Sequence, residues 1–279
     1  GSTDDSGIDM QSFHERLRSS WQNSGSLLCV GIDPDLQLMP HAVRAAKKPF
    51  FEFGKAIVEA TAAYVCAFKP QAAHFAAVGK EHELAELIAF MRANYPAIPI
   101  ILDAKRGDVG STARLYAKEA YERYNADAVT VNPYLGKDSL DPYFAYTERG
   151  IVILCRTSNP GSDWLQNRPD SGVPTYLQVA KQISEWDVAG QCMLVTGATY
   201  PEELAKVRSV VGKLPLLVPG IGAQGGSVEE VLSNGLDGNG TGLVISSSRA
   251  IIFADSGPDY AQAAAAAAEA AMNEINKFR

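Results

Sequence analysis

Eight short runs of apolar, often β-branched residues punctuate the chain: 26–33 (SLLCVGID), 64–70 (YVCAFKP), 98–105 (IPIILDAK), 127–133 (DAVTVNP), 150–158 (GIVILCRTS), 191–199 (QCMLVTGAT), 214–222 (LPLLVPGIG) and 241–249 (TGLVISSSR). Each is near-continuously hydrophobic, as a strand buried on both faces should be. The stretches between them read as helices at 50–62, 80–94, 111–124, 176–186, 202–210 and 228–234, and the alanine-rich segment 259–278 suits a closing helix. Thr199 with Glu202, and Ser227 with Glu230, fit the S/T-x-x-E spacing that opens a helix. Eight strand-then-helix units favour a parallel sheet. Eight is also the number that closes a (β/α)8 TIM barrel, whose usual length is about 250 residues. An open doubly wound sheet is the alternative. No Ser/Gly-rich linker divides the chain, so residues 1–279 are expected to form one α/β barrel domain, with 1–10 a tag remnant and disordered tail. The longest irregular stretch, 159–175, follows the fifth run and has the length of a lid or binding loop.

Composition narrows the function classes. With 46% hydrophobic and 20% charged residues the chain is globular. No apolar run approaches the roughly 18 to 20 residues of a membrane helix, and no basic-then-apolar leader opens the chain. No membrane partner is expected. The net charge of −7, without a long basic run, argues against nucleic acid as a partner. An anionic small substrate would need positive charge gathered locally. Cys29, Cys66, Cys155 and Cys192 each lie in an apolar run with no C-x-x-C spacing. They read as buried small hydrophobes in a reducing, cytoplasmic compartment, with metal ligation or a catalytic thiol as the alternative. His14, His41, His74 and His82 show no H-x-x-x-H spacing, and no metal site is inferred.

In a closed barrel the chemistry sits at the C-terminal ends of the strands. Polar residues stand there: Asp33 after the first strand, Lys69 at the end of the second, Asp103 and Lys105 at the end of the third, Asn132 after the fourth, Ser158 after the fifth, Pro219 to Gln224 after the seventh and Arg249 after the eighth. Asp103 and Lys105 are two apart, so on a strand they share a face, within reach of Lys69 on a neighbouring strand. Buried charges demand pairing, and an ordinary ion pair closing the barrel mouth would satisfy the pattern. A chemical reading also fits. A lysine flanked by carboxylates keeps its proton. That makes it a poor Schiff-base nucleophile and a good proton donor. An aspartate beside a substrate carboxylate would repel it by about 4 kcal/mol at 4 Å and an effective dielectric of 20. Loss of CO2 would relieve that repulsion, and the ammonium could stabilise and protonate the carbanion left behind.

The segment Gly220-x-Gly222-x-x-Gly225 fits a dinucleotide-binding pattern, which is weak alone. Its place on the seventh unit and the lack of an acidic residue ending the next strand (Ser246-Ser247-Ser248-Arg249) count against a nicotinamide cofactor. A phosphate grip built from the glycine amides, Gln224 and Arg249 fits better. A purely structural glycine turn stays open.

At this point the residues resemble a known family. DAKRGDVGST (103–112) is similar to the D-x-K-x-x-D motif of the orotidine 5′-phosphate decarboxylase family. GIDPD, FKPQ, VNPYLG, TSNPG, VPGIGAQGG and SSSRAI resemble its other blocks in the same order, from about 26 to 252. The spacers and FKPQAAHF look like its longer bacterial, actinobacterial-type form. The resemblance implies removal of CO2 from orotidine 5′-monophosphate to give UMP, the last step of pyrimidine synthesis, with no metal and no organic cofactor. It implies that Lys69, Asp103 and Lys105 form a charged network, with Lys105 the proton donor to C6. Asp108, grouped with these, and Thr112 would reach into the partner's site in a homodimer with shared active sites. Asp33 and Lys69 would hold ribose hydroxyls, Ser158 would face the pyrimidine, and Gln224 and Arg249 the phosphate. Asn132, Pro219 and Gly222 are counted with the substrate-binding residues. Val109 stands where the family often has Ile. Three rivals remain: a Mg2+-dependent keto-gulonate-phosphate decarboxylase or hexulose-phosphate synthase on the same barrel, a binding protein without turnover, and an NADP oxidoreductase with Arg249 on the 2′-phosphate.

Overall fold

The computed structural model describes residues 11–221 and 227–279. Its first element, helix Phe13–Ser24, is one the apolar runs do not foretell. Ser12 caps it, accepting from the Glu15 amide while the Glu15 carboxylate accepts from the Ser12 amide, and Gly25 ends it at φ 61°. The helix lies across the N-terminal end of the barrel. Ser20 donates to the Cys66 carbonyl at 2.6 Å and Trp21 Nε1 to the Leu243 carbonyl at 3.1 Å. Phe13 is fully buried against the start of the fifth strand, where a Cβ on Gly150 would stand 2.5 Å from its ring and 2.8 Å from Ala128 Cβ. Gly150→Ala is therefore expected to cost about 1–3 kcal/mol through overpacking. A thermal melt reads this, and an unchanged midpoint would contradict the packing.

The eight strands are β1 (Leu28–Ile32), β2 (Ala67–Pro70), β3 (Ile101–Arg106), β4 (Ala128–Val131), β5 (Gly150–Arg156), β6 (Cys192–Thr196), β7 (Leu216–Val218) and β8 (Leu243–Ser247). All pairings are parallel, in the order β2-β1-β8-β7-β6-β5-β4-β3. Single bridges, Phe68 to Ile100 and Gln71 to Asp103, bring β2 back to β3 and close the ring. The expected (β/α)8 barrel is thus the observed one, and an open doubly wound sheet is excluded. Residues paired across parallel strands share a face. The register links Gly31 to Lys69, Cys29 to Ser246, Val244 to Leu217, Leu217 to Val195, Val195 to Leu154, and Thr130 to Val152. One face of this ring is the barrel interior, and Lys69 and Thr130 lie on it.

The outer helices follow the expected spans closely: Pro49–Thr61, Glu81–Asn94, Thr175–Trp186, Pro201–Val211, Val228–Gly235 and Tyr260–Asn276. Three readings need correction. The segment expected as one helix at 111–124 is an α-helix, Gly110–Lys118, followed by a π-helical turn, Glu119–Arg123. Thr199 does not cap: helix Pro201–Val211 begins after Tyr200 without a side-chain cap, and the Thr199 hydroxyl donates to the Ser158 carbonyl at 3.2 Å. Ser227 does cap, accepting from the Glu230 amide. The stretch 159–175 is not wholly irregular, for it holds a 3-10 turn, Pro160–Ser162, and a short helix, Asp163–Gln166.

Candidate active site

Three charged side chains from two adjacent strands meet at the C-terminal mouth. The Lys69 ammonium lies 2.8 Å from Asp103 Oδ2, and the Lys105 ammonium 2.8 Å from Asp103 Oδ1. Lys69 and Asp103 are buried, whereas the Lys105 side chain keeps 46% of its exposure. Burial alone would raise the Asp103 carboxyl, but the two ammonium groups outweigh it and hold Asp103 well below the usual carboxylate range. Burial likewise would lower Lys69, and Asp103 with Asp33 outweighs it, leaving that ammonium above its ordinary value. Asp103 is therefore an anion and Lys69 a cation at neutral pH.

The backbone that delivers Lys105 is not the regular strand its spacing suggests. β3 and β4 pair Leu102 with Val129 and then Arg106 with Val131, so β3 carries extra residues against β4. Lys105 sits there at φ 49°, a left-handed conformation uncommon for a side chain with a Cβ. The Lys105–Asp103 contact expected from the sequence is present, but a bulge makes it.

Asp33 follows β1 on the same side. Its Oδ1 is buried with no hydrogen-bond partner among the described residues, so a donor from a bound molecule would satisfy it. Gly31 below it lies tight against Ser248, since a Cβ would come 3.0 Å from Ser248 Cβ. Arg249 is exposed at the first position of the short helix Arg249–Ile252, directly after β8. Pro219 and Gly220 follow β7, with Gly220 at φ 89°. Gly222 and Gln224 lie outside the described residues. Asn132 is exposed after β4, its amide donating to the Arg106 carbonyl at 2.8 Å and its side chain accepting from the Tyr134 amide. Ser158 follows β5 and is partly exposed.

Asp108 and Thr112 do not join this cluster within the chain. Asp108 Oδ1 accepts the Val109 amide at 2.8 Å, and Thr112 is exposed on helix Gly110–Lys118. Val109 and Leu115, next to them in the chain, are exposed, as are Tyr134 and Leu135 after β4, Tyr134 to 76%.

Two polar residues escape a reading of the sequence. One is Thr130, on β4 beside Asp103. The other is Arg156, only 1% exposed at the end of β5. A bulge between Leu154 and Arg156 precedes it, and the guanidinium packs among the outer helices. Nε donates to Glu203 at 2.6 Å, Nη2 to Asp163 at 2.5 Å, and Nη1 to the Ser162 hydroxyl, with Tyr200 beneath the group at 4.7 Å. It ties the start of the 159–175 stretch to helix Pro201–Val211, so that part is held rather than swinging free. Cys29 lies in the interior below Lys69, where burial pushes its thiol up to about 12 despite the nearby ammonium. It is a neutral core residue. Cys66, Cys155 and Cys192 are also buried, with raised thiols.

Fold and mouth together define a (β/α)8 barrel enzyme with a lysine–aspartate–lysine row at its catalytic end. Residues 26–267 match the model of the "Orotidine 5'-phosphate decarboxylase / HUMPS family", and the chain belongs to that family. A protein from Ralstonia pickettii named orotidine 5′-phosphate decarboxylase is 51% identical over 96% of this chain and 99% of its own length. One of the same name from Dechloromonas aromatica is 53% identical over the same shares. Among solved structures, Leishmania donovani OMP decarboxylase superposes with a TM-score of 0.82 at 38% identity, covering 96% of this chain and 99% of that one. The orotidine 5′-monophosphate decarboxylase of Methanocaldococcus jannaschii, at 19% identity and a TM-score of 0.66, shares the fold over 90% of this chain and 98% of its own.

Proposed function

We propose that this chain removes CO2 from orotidine 5′-monophosphate to give UMP, in pyrimidine biosynthesis, by a mechanism that needs no metal or organic cofactor. The observation that carries the proposal is Asp103 held between the ammonium groups of Lys69 and Lys105 at the barrel mouth. It stands in a chain about half identical to proteins named for that reaction.

In this reading the substrate carboxylate lies next to Asp103, an anion that disfavours it, and C6 faces Lys105. The bond from C6 to the carboxylate carbon breaks and CO2 leaves. The electron pair stays on C6, where the Lys105 ammonium stabilises it and delivers a proton. Water then returns a proton to the Lys105 amine, which suits a side chain that keeps part of its exposure. Stabilisation of the negative charge that develops on C6 by the Lys105 ammonium carries most of the catalytic effect in this reading. Asp33 and Lys69 receive the ribose hydroxyls, and the unpartnered Asp33 Oδ1 supports that role. Ser158 faces the pyrimidine, and Asn132 is counted with the substrate-binding residues. Pro219, Gly222, Gln224 and Arg249 form the phosphate end, whose binding energy is spent on the chemical step.

Asp108 and Thr112 act across a homodimer in this reading. Their absence from the cluster within one chain and the exposure of Val109 and Leu115 next to them, and of Tyr134 and Leu135 after β4, support it. The chain is read as one domain; residues 1–10, expected as a tag remnant and tail, lie outside the described residues. The four free, buried cysteines support a reducing cytoplasm, and no described helix is long and apolar enough to cross a membrane.

Incubation with orotidylate in the presence of EDTA tests the proposal. Conversion of the pyrimidine ultraviolet spectrum to that of UMP is expected. No change with or without chelator would overturn the reading, and turnover lost only on chelation would favour the Mg2+-dependent hexulose-phosphate synthase branch. Arg249→Ala is expected to weaken UMP by about 10- to 100-fold, the worth of a charge-assisted hydrogen bond, while uridine is unaffected. Calorimetric titration measures both. Equal binding of UMP and uridine by the unmutated protein would contradict the phosphate assignment.

A further inference from the structure

The Thr130 hydroxyl uses its full bonding capacity on the charged row. It donates to Asp103 Oδ1 at 2.8 Å and accepts the amides of Ala104 and Lys105, each at 2.9 Å. A hydroxyl has one proton to give and two lone pairs to receive with, and all are engaged. The two amides belong to the β3 bulge, where the ladder to β4 is interrupted between Leu102 and Arg106. These part-buried amides, where the strand ladder is interrupted, take the Thr130 oxygen as their acceptor instead. Thr130 is itself 1% exposed, and water has no ready access from its side.

We propose that Thr130 is a positioning residue for decarboxylation, one hydroxyl fixing both the Asp103 carboxylate and the left-handed backbone of Lys105; this rests on the function proposed above.

Two arguments support the role. Asp103 Oδ1 receives the Lys105 ammonium and the Thr130 hydroxyl together, while Oδ2 receives Lys69. Three donors from three directions leave the carboxylate one orientation. The second argument concerns the strain at Lys105. A residue with a Cβ at φ 49° persists only where its surroundings over-determine it. The Lys105 amide bond to Thr130 and its ammonium bond to Asp103 do so from both ends. Valine at 130 would keep the shape and the β-branched stiffness but would leave two amides and a carboxylate oxygen short of a partner. The ammonium would then be free to wander from C6, and a misplacement of order 1 Å costs on the order of 10²-fold in rate.

The test compares Thr130→Val, Thr130→Ser and Thr130→Ala with the unmutated protein for CO2 release from orotidylate. Ser keeps the hydroxyl and Ala removes it from the same small side chain, so this pair remains informative if the Val variant fails to fold. Expected is a fall in kcat of about 10- to 100-fold for Val and Ala. Ser should stay within about 3-fold of the parent, and UMP affinity should be nearly constant across the set, since the Thr130 hydroxyl spends its bonds on Asp103 and the β3 amides. A role in folding alone would lower the melting point without this split between kcat and binding. Equal kcat for Ser and Ala, with the parent active, would overturn the positioning role alone. A parent that releases no CO2 would overturn the function on which it rests.

Discussion

Lys105→Ala is expected to lower CO2 release from orotidylate by at least about 10³-fold, the upper range for loss of a positioned proton donor that also stabilises the developing charge. UMP binding should remain measurable, and the fold should hold. The structure explains why these effects separate. The Lys105 side chain is only half-buried, so truncation leaves no sealed cavity. Asp103 keeps its salt bridge to Lys69 and its bond from Thr130, so no buried charge is left unpaired. Lys69→Ala would lack this virtue, because it strips the buried ammonium that faces both Asp103 and Asp33. Single-turnover assays followed by the ultraviolet change of the pyrimidine give the rate, and titration with UMP gives the binding. A variant that turns over within about tenfold of the parent would remove Lys105 from the proton-transfer step.

Much of this site was written in the sequence because charges ending apolar runs are conspicuous. Asp103 and Lys105 stand out after Ile100, Ile101 and Leu102 for that reason. Thr130 does not, since a β-branched residue among valines reads as strand filling and the bulge that recruits its hydroxyl has no local signature. Arg156 does not either, since a charge within the fifth run has no mark that tells whether it faces the mouth or the outer helices. That depends on a bulge between β5 and β6. The first helix is a different lesson. Ser12 and Glu15 form the same S/T-x-x-E pattern that was noted at Thr199 and Ser227, and they make the complete reciprocal cap. At Thr199 the pattern failed because Pro201 sets the first helical position and the hydroxyl turns to the Ser158 carbonyl. A capping pattern states what a side chain could do, and tertiary neighbours decide whether it does.

The placement of Asp108 leads to the second large effect. It sits five residues after Asp103, yet its carboxylate turns back on the Val109 amide rather than toward the Lys69–Asp103–Lys105 row. If Asp108 completes a neighbour's site, Asp108→Asn homodimers should be crippled by about 10²-fold or more, as for loss of a charged active-site group. Lys105→Ala homodimers should be crippled as well. A mixed dimer of the two variants then contains one site with both defects and one with neither. Random re-pairing makes about half of all dimers mixed, so about one quarter of the sites are whole. Co-refolding equal amounts of the two inactive variants should accordingly restore activity to about a quarter of the parent's, far above either variant alone. Purified mixed dimers, selected by a different tag on each chain, should reach about half. Recovery to these levels follows only if each site draws on both chains. Mixed dimers no more active than their parents would mean that every site is self-contained, and Asp108 would then have to reach Lys105 by movement of the loop after β3 within one chain.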